Sequence, residues 1–169
     1  MPLVADSPRM KKINLSEIPA EEWRSPKGKF VQLSRCVSIA LGRDPKSDRL
    51  SERHPFDLEH VTIPPGASAC PYHAHSAQWE MYVFLGGKGR VRTPEGEVLV
   101  GEGDVVLHPP GEAHQLTNDG TEDLVLLIVA DNPFGEACYY PDSDKWMLPS
   151  ALSGEVMRGK AVDYLDGEE

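Results

Sequence analysis

Two segments bring together the residues most able to do chemistry. In the first, His73-Ala74-His75 sets two imidazoles two positions apart. Such residues share one face of an extended strand, about 7 Å apart along the chain, so both can reach a single ion. Glu80 follows five positions after His75. That odd step would turn it to the opposite face of a continuous strand, and a bend near Ser76-Ala77 must restore its direction. In the second segment a strand through His108 stops at Pro109-Pro110-Gly111, turns sharply, and resumes with His114 as an early residue. That turn can aim His114 across a barrel at the first cluster.

The scaffold for these residues reads as all-β. From Phe56 onward the chain is a succession of short strands punctuated by Pro and Gly, the spacing of a sandwich or barrel. Strands are expected near 57–63, 69–75, 79–85, 88–93, 96–100, 104–108, 113–118 and 124–131. Thr93-Pro94-Glu95-Gly96 is a tight hairpin turn. Phe30 to Leu41 alternates apolar residues at mostly two-residue spacing and fits one or two further strands. Upstream, residues 1–28 form an arm in which Glu17 to Trp23 could make a short helix capped by Ser16. Gly42 to Arg49 is a polar loop, mobile or folded over a site. The organisation expected is an N-terminal arm (1–28), one barrel (29–150, with its motif core at 57–131) and a C-terminal tail (151–169). The aromatics from Tyr139 to Trp146 should pack back onto the barrel. A chain of 169 residues suits one such domain.

The two segments resemble the paired motifs of the cupin superfamily. The first motif stands here as Gly66, His73, His75, Glu80 and Gly87, and the second as Gly103, Pro109, Gly111, His114 and Asn118. One departure is an extra residue between Gly66 and His73, which allows a small shift at Cys70-Pro71. The resemblance covers about residues 57 to 131. The tail's Tyr140-Pro141-Asp142-Ser143-x-Lys145 is also similar to a group of bacterial cupins labelled sugar-phosphate isomerase-like or auxin-binding-like. The resemblance implies a double-stranded β-helix, the jelly-roll barrel. It also implies one divalent metal held by His73, His75, Glu80 and His114. The donor types agree with that, since three neutral imidazoles and a carboxylate suit Mn, Fe, Co, Ni or Zn. A six-coordinate ion would keep two open positions, and the centre would carry about one net positive charge.

Around the metal the expected pocket is lined by Tyr72, Gln78, Tyr82, Phe84 and His108. His108 and Tyr82 are the candidate proton carriers. Tyr82 and Phe84 share the parity of Glu80 and face inward, with Phe84 expected to serve as core. Lys88, Arg90 and Arg92 should point outward, because burying three unpaired cations is costly. Cys70 is expected to be a buried structural thiol, with a redox role beside the metal as the other reading.

Composition narrows the partners. With 17 Lys+Arg against 27 Asp+Glu the net charge is −10, which repels nucleic acid and anionic membranes. The longest apolar run, Leu124 to Ala130, is too short to span a bilayer. Cys36, Cys70 and Cys138 are odd in number and widely spaced, fitting reduced thiols in the cytoplasm. A homodimer is expected, with the Trp23-bearing arm long enough to cross and pair a neighbour's sheet edge. The functional expectation is a metal-binding protein that acts on or binds a small carboxylate, enediol or sugar-like molecule. Isomerase and dioxygenase chemistry are both open, and non-catalytic metal-dependent binding or sensing is the alternative.

Overall fold

A computed structural model describes residues 10–44, 47, 52–149, 155–159 and 161–168. Among them run thirteen strands: β1 (Glu21–Arg24), β2 (Val31–Cys36), β3 (Phe56–Ile63), β4 (Ala74–His75), β5 (Glu80–Gly86), β6 (Lys88–Thr93), β7 (Gly96–Gly101), β8 (Val105–His108), β9 (Gln115–Thr117), β10 (Leu124–Asp131), β11 (Cys138–Tyr140), β12 (Lys145–Met147) and β13 (Val156–Met157). One antiparallel sheet has the order β1-β2-β3-β10-β5-β8. The other strands form β7-β6-β9 and β13-β12-β11-β4. These two are stitched together where His73 and His114 exchange backbone hydrogen bonds of 3.1 and 2.8 Å. The architecture is the double-stranded β-helix.

Two-residue alternation builds the core. Val61 and Ile63 on β3, Tyr82 and Phe84 on β5, Val91 on β6, Val100 on β7, Leu116 on β9, and Leu124 and Leu126 on β10 are all buried in one cluster, the apolar burial that drives folding. The same parity continues each strand's inward face beyond the apolar residues. On β3 it carries Asp57 and Glu59, and on β5 it carries Glu80. The polar end of the barrel is therefore an extension of its apolar core.

Local chemistry explains the departures from the sequence pattern. The helix expected over 17–23 is absent. Leu15–Glu17 forms a single 3-10 turn capped by Asn14, Pro19 follows it, and Glu21–Arg24 instead pairs with β2 of its own chain, Trp23 opposite Gln32. The strand expected over 69–75 shrinks to Ala74–His75. Pro71 offers no N–H to a ladder, and isolated bonds such as Ala69 N–H to the Leu116 carbonyl at 3.0 Å hold the rest. The hairpin at Thr93–Gly96 forms as read. The tail packs back as expected, with Cys138 opposite His75 and Tyr139 opposite Ala74. In the polar loop, Pro45, Lys46, Asp48 and Arg49 lie outside the described residues.

Candidate metal centre

His73, His75, Glu80 and His114 come together. One ligand atom from each lies within 4.8 Å of all the others, and every one of the four is buried or nearly so. The three imidazoles come from β4 and its neighbours on one layer, and Glu80 comes from β5 on the other. His114 meets the first cluster on both layers: its Nε2 is 3.1 Å from Glu80 Oε2 across the barrel. It sits directly beside His73, because the two residues are backbone bridge partners. The turn that delivers it is fixed at Gly111, whose φ of 84° suits glycine and whose N–H donates to the His75 carbonyl at 2.8 Å.

The bend required between His75 and Glu80 is organised by a residue distant in sequence. Glu136 accepts backbone N–H bonds from Ser76 (3.1 Å), Ala77 (2.9 Å) and Gln78 (2.9 Å). Asp131 takes the next N–H, from Trp79, at 2.9 Å. The chain thereby leaves β4 and re-enters at Glu80 with its carboxylate inward.

Each imidazole is oriented from behind. Nδ1 of His73 lies 2.9 Å from the Pro71 carbonyl, Nδ1 of His114 lies 3.2 Å from the Glu112 carbonyl, and Nδ1 of His75 lies 3.0 Å from Glu136 Oε1. Those oxygens can only accept, so each Nδ1 carries a hydrogen and each Nε2 turns a lone pair inward. Nε2 of His73 and of His75 are 3.1 Å apart, Nε2 of His114 is 3.1 Å from Glu80 Oε2, and Nε2 of His75 is 3.5 Å from the same oxygen. Donors at about 2.1 Å from one ion and at right angles to each other stand about 3.0 Å apart. The spacing and the donor types both fit a divalent transition metal.

The electrostatics press in the same direction. Burial first, then the fields of His114 and His75, lowers the His73 pKa to about 4. Burial also opposes charge on His75, but hydrogen bonds with Cys138 and Glu80 outweigh it and raise that group to about 10. Burial would raise Glu80, yet its bonds to His114 and His75 hold it well below the usual carboxylate range. The cluster thus demands a positive species among its lone pairs. A proton on His75 or a metal ion meets that demand.

Beside the cluster is a cavity of about 270 Å³ lined by Gln32, Asp57, Glu59, Gln78, Tyr82 and Ile128 together with Cys70, His73 and Glu80. Of the pocket residues read from sequence, Gln78 and Tyr82 line it. The Tyr82 hydroxyl donates to Glu80 Oε2 at 3.0 Å. Tyr72, Phe84 and His108 are not in the lining. Tyr72 is covered by Arg92, 3.9 Å above its ring, and Phe84 is core. The His108 ring stacks on His114 at 3.9 Å and its Nδ1 lies 3.1 Å from Glu112 Oε1. Burial and then His114 lower its pKa. Cys70 approaches His73 Nδ1 at 3.4 Å, and burial pushes its thiol up to about 12, so it stays protonated. Arg90 and Arg92 face outward, paired with Glu97, Asp119 and Asp142. Sequence reasoning passed over Glu136, which lies far along the chain. It also passed over Gln32, Asp57 and Glu59. The parity of Val61 and Ile63 was the available signal for the two carboxylates.

Residues 59–130 match the family model described as Cupin domain. An oxalate-binding protein of Thermotoga maritima is 36% identical over 69 residues, which cover 41% of this chain and 56% of that protein. The glucose-6-phosphate isomerase of Thermococcus kodakarensis is 38% identical over 63 residues, 34% of this chain and 33% of that enzyme. The chain thus spans less than two thirds of either relative. Among solved structures, a sugar phosphate isomerase from a cupin superfamily, from Silicibacter pomeroyi, shares the fold with a TM-score of 0.74 at 22% identity, covering 91% of this chain and 98% of that one.

Proposed function

Because this chain belongs to the cupin superfamily, we propose that it holds one divalent transition metal, Mn, Fe, Zn, Ni or Co, between His73, His75, Glu80 and His114 and binds a small oxygen-rich molecule there. The observation that carries this reading is the convergence of three Nε2 lone pairs and one carboxylate whose outward Nδ1 groups are all committed as donors. Such an ion supplies Lewis acidity toward a chelating pair of oxygens. Three neutral imidazoles and Glu80 leave about one positive charge, which favours a carboxylate, an enediol or a hydroxy-carbonyl. The oxalate-binding relative is consistent with a small oxygen chelate.

The cavity narrows the chemistry. Its polar wall of Gln32, Asp57, Glu59 and Gln78 suits proton-transfer chemistry such as isomerisation better than dioxygen insertion, which needs a dry pocket. Among the described residues no Lys or Arg is in that lining, so a phosphorylated substrate lacks a cationic partner there. Tyr82 acts by holding Glu80. His108 acts through its stack with His114. Free Cys36, Cys70 and Cys138 fit a reducing cytoplasm, and none of the described helices is long and apolar enough to cross a membrane. Metal analysis of protein purified without a His-tag tests the reading. About one equivalent is expected in the wild type, and a His73→Ala, His114→Ala double variant that retains the same metal content overturns it.

A further inference from the structure

Glu59 faces the metal cavity and takes no part in the metal centre. It stands on β3 two positions before Val61 and shares that inward face. Among the described residues its side chain has one hydrogen-bond partner, the Cys36 thiol at 3.8 Å from Oε1, which is a weak donor at long range. Cys36 is itself raised to about 11, by burial and then by Glu59, so it stays a neutral thiol. The neighbouring Asp57 differs. Arg43 Nη1 donates to it at 2.6 Å while Arg43 Nη2 donates to Asn132 Oδ1 at 2.9 Å. The cavity therefore has a positive end at the metal and, at Glu59, a carboxylate that no cation among the described residues pairs with, Arg43 being turned to Asp57. A half-buried carboxylate short of donors is costly unless something supplies them.

We propose that Glu59 reads the far end of the ligand, selecting a metal-chelating head joined to a hydroxyl or ammonium tail and rejecting a second anionic group. This inference rests on the chelate-binding reading of the same cavity. Gln32 and Gln78 on the same lining can add hydrogen bonds to such a tail without adding charge. Burial, followed by Asp57, raises the Glu59 pKa, so the discrimination is best read at pH 8. Unit charges about 7 Å apart at an effective dielectric of about 40 change binding by about tenfold.

The test uses the full chain loaded with Mn²⁺ and three five-carbon ligands that share an α-hydroxycarboxylate head: 5-amino-2-hydroxypentanoate, 2,5-dihydroxypentanoate and 2-hydroxyglutarate. Isothermal titration should give 2-hydroxyglutarate the weakest binding, by about tenfold. Glu59→Gln, nearly isosteric, should improve 2-hydroxyglutarate about tenfold relative to the uncharged 2,5-dihydroxypentanoate with manganese content unchanged. Equal binding of the three by the wild type overturns the inference and leaves the chelate reading standing, as does an unchanged ranking in Glu59→Gln. Failure of all three to bind overturns both. Should the variant fail to fold, the wild-type ranking decides alone.

Discussion

Glu136→Ala should damage the metal centre without touching a ligand. The carboxylate accepts N–H bonds from Ser76, Ala77 and Gln78 and orients His75 through Nδ1 at 3.0 Å. The Ser76 and Ala77 bonds are exposed and their N–H groups can turn to water, so each contributes only about 0.5 kcal/mol, the low end of the net range for a hydrogen bond. The Gln78 and His75 bonds are more enclosed and contribute more. Together they amount to about 3 kcal/mol. A chain of this size should then melt roughly 10 °C lower. Metal affinity should fall about 10- to 100-fold, as for other residues that orient a ligating imidazole, because His75 loses its tautomer lock and the 76–79 bend loses its anchor. Glu136→Gln keeps an acceptor oxygen for part of the bend and should lose about half as much melting temperature. Competition against a chromophoric chelator, with thermal unfolding in parallel, measures both quantities. Metal affinity in Glu136→Ala within threefold of wild type would refute the reasoning.

Three further outcomes follow from the geometry. In the metal-free protein the folded His75 pKa of about 10 exceeds the unfolded value near about 6.5, so its stabilisation is complete below about pH 6.5 and is lost as pH rises through about 10. Metal must displace that proton, so apparent affinity should climb about tenfold per unit from pH 7 to 9, a slope that His75→Gln abolishes in a chelator titration. His108→Ala removes a ring that is 1% exposed and stacked on His114. It should cost about 2 to 4 kcal/mol in denaturant unfolding while metal affinity stays within tenfold, since the Glu112 carbonyl still orients His114. The homodimer is checked by light scattering at micromolar concentration. Two copies are expected because β1, exposed along its length, is an edge strand with no further partner among the described residues, and a monomer mass refutes it.

The resemblance carried by two spaced motifs implied the jelly-roll barrel and the four candidate ligands. Strand parity and turn chemistry, which are local and written in consecutive residues, gave the all-β reading, the shared face of His73 and His75 and the need for a bend after His75. Local pattern also set the outward face of Arg90 and Arg92. It misread residues 17–23, where helix propensity competed with a vacant edge on β2 that only the folded sheet presents. It aimed His114 at the first cluster but gave no sign of the backbone bridge that sets it beside His73.

What the tertiary structure alone decided concerns groups that meet across long stretches of chain. Glu136 reaches His75 over 61 positions, and no periodicity in the sequence links a lone glutamate in the tail to a bend in the first motif. The packing of His108 against His114 removed it from the cavity lining, although its position beside Pro109 looked suited to a pocket. Asp57 and Glu59 carried the right parity for the interior, but their difference appears only once Arg43 folds onto Asp57 and leaves Glu59 without a paired cation among the described residues. Parity fixes which way a side chain points, and the charge it keeps there depends on which distant partners the fold brings within about 3 Å.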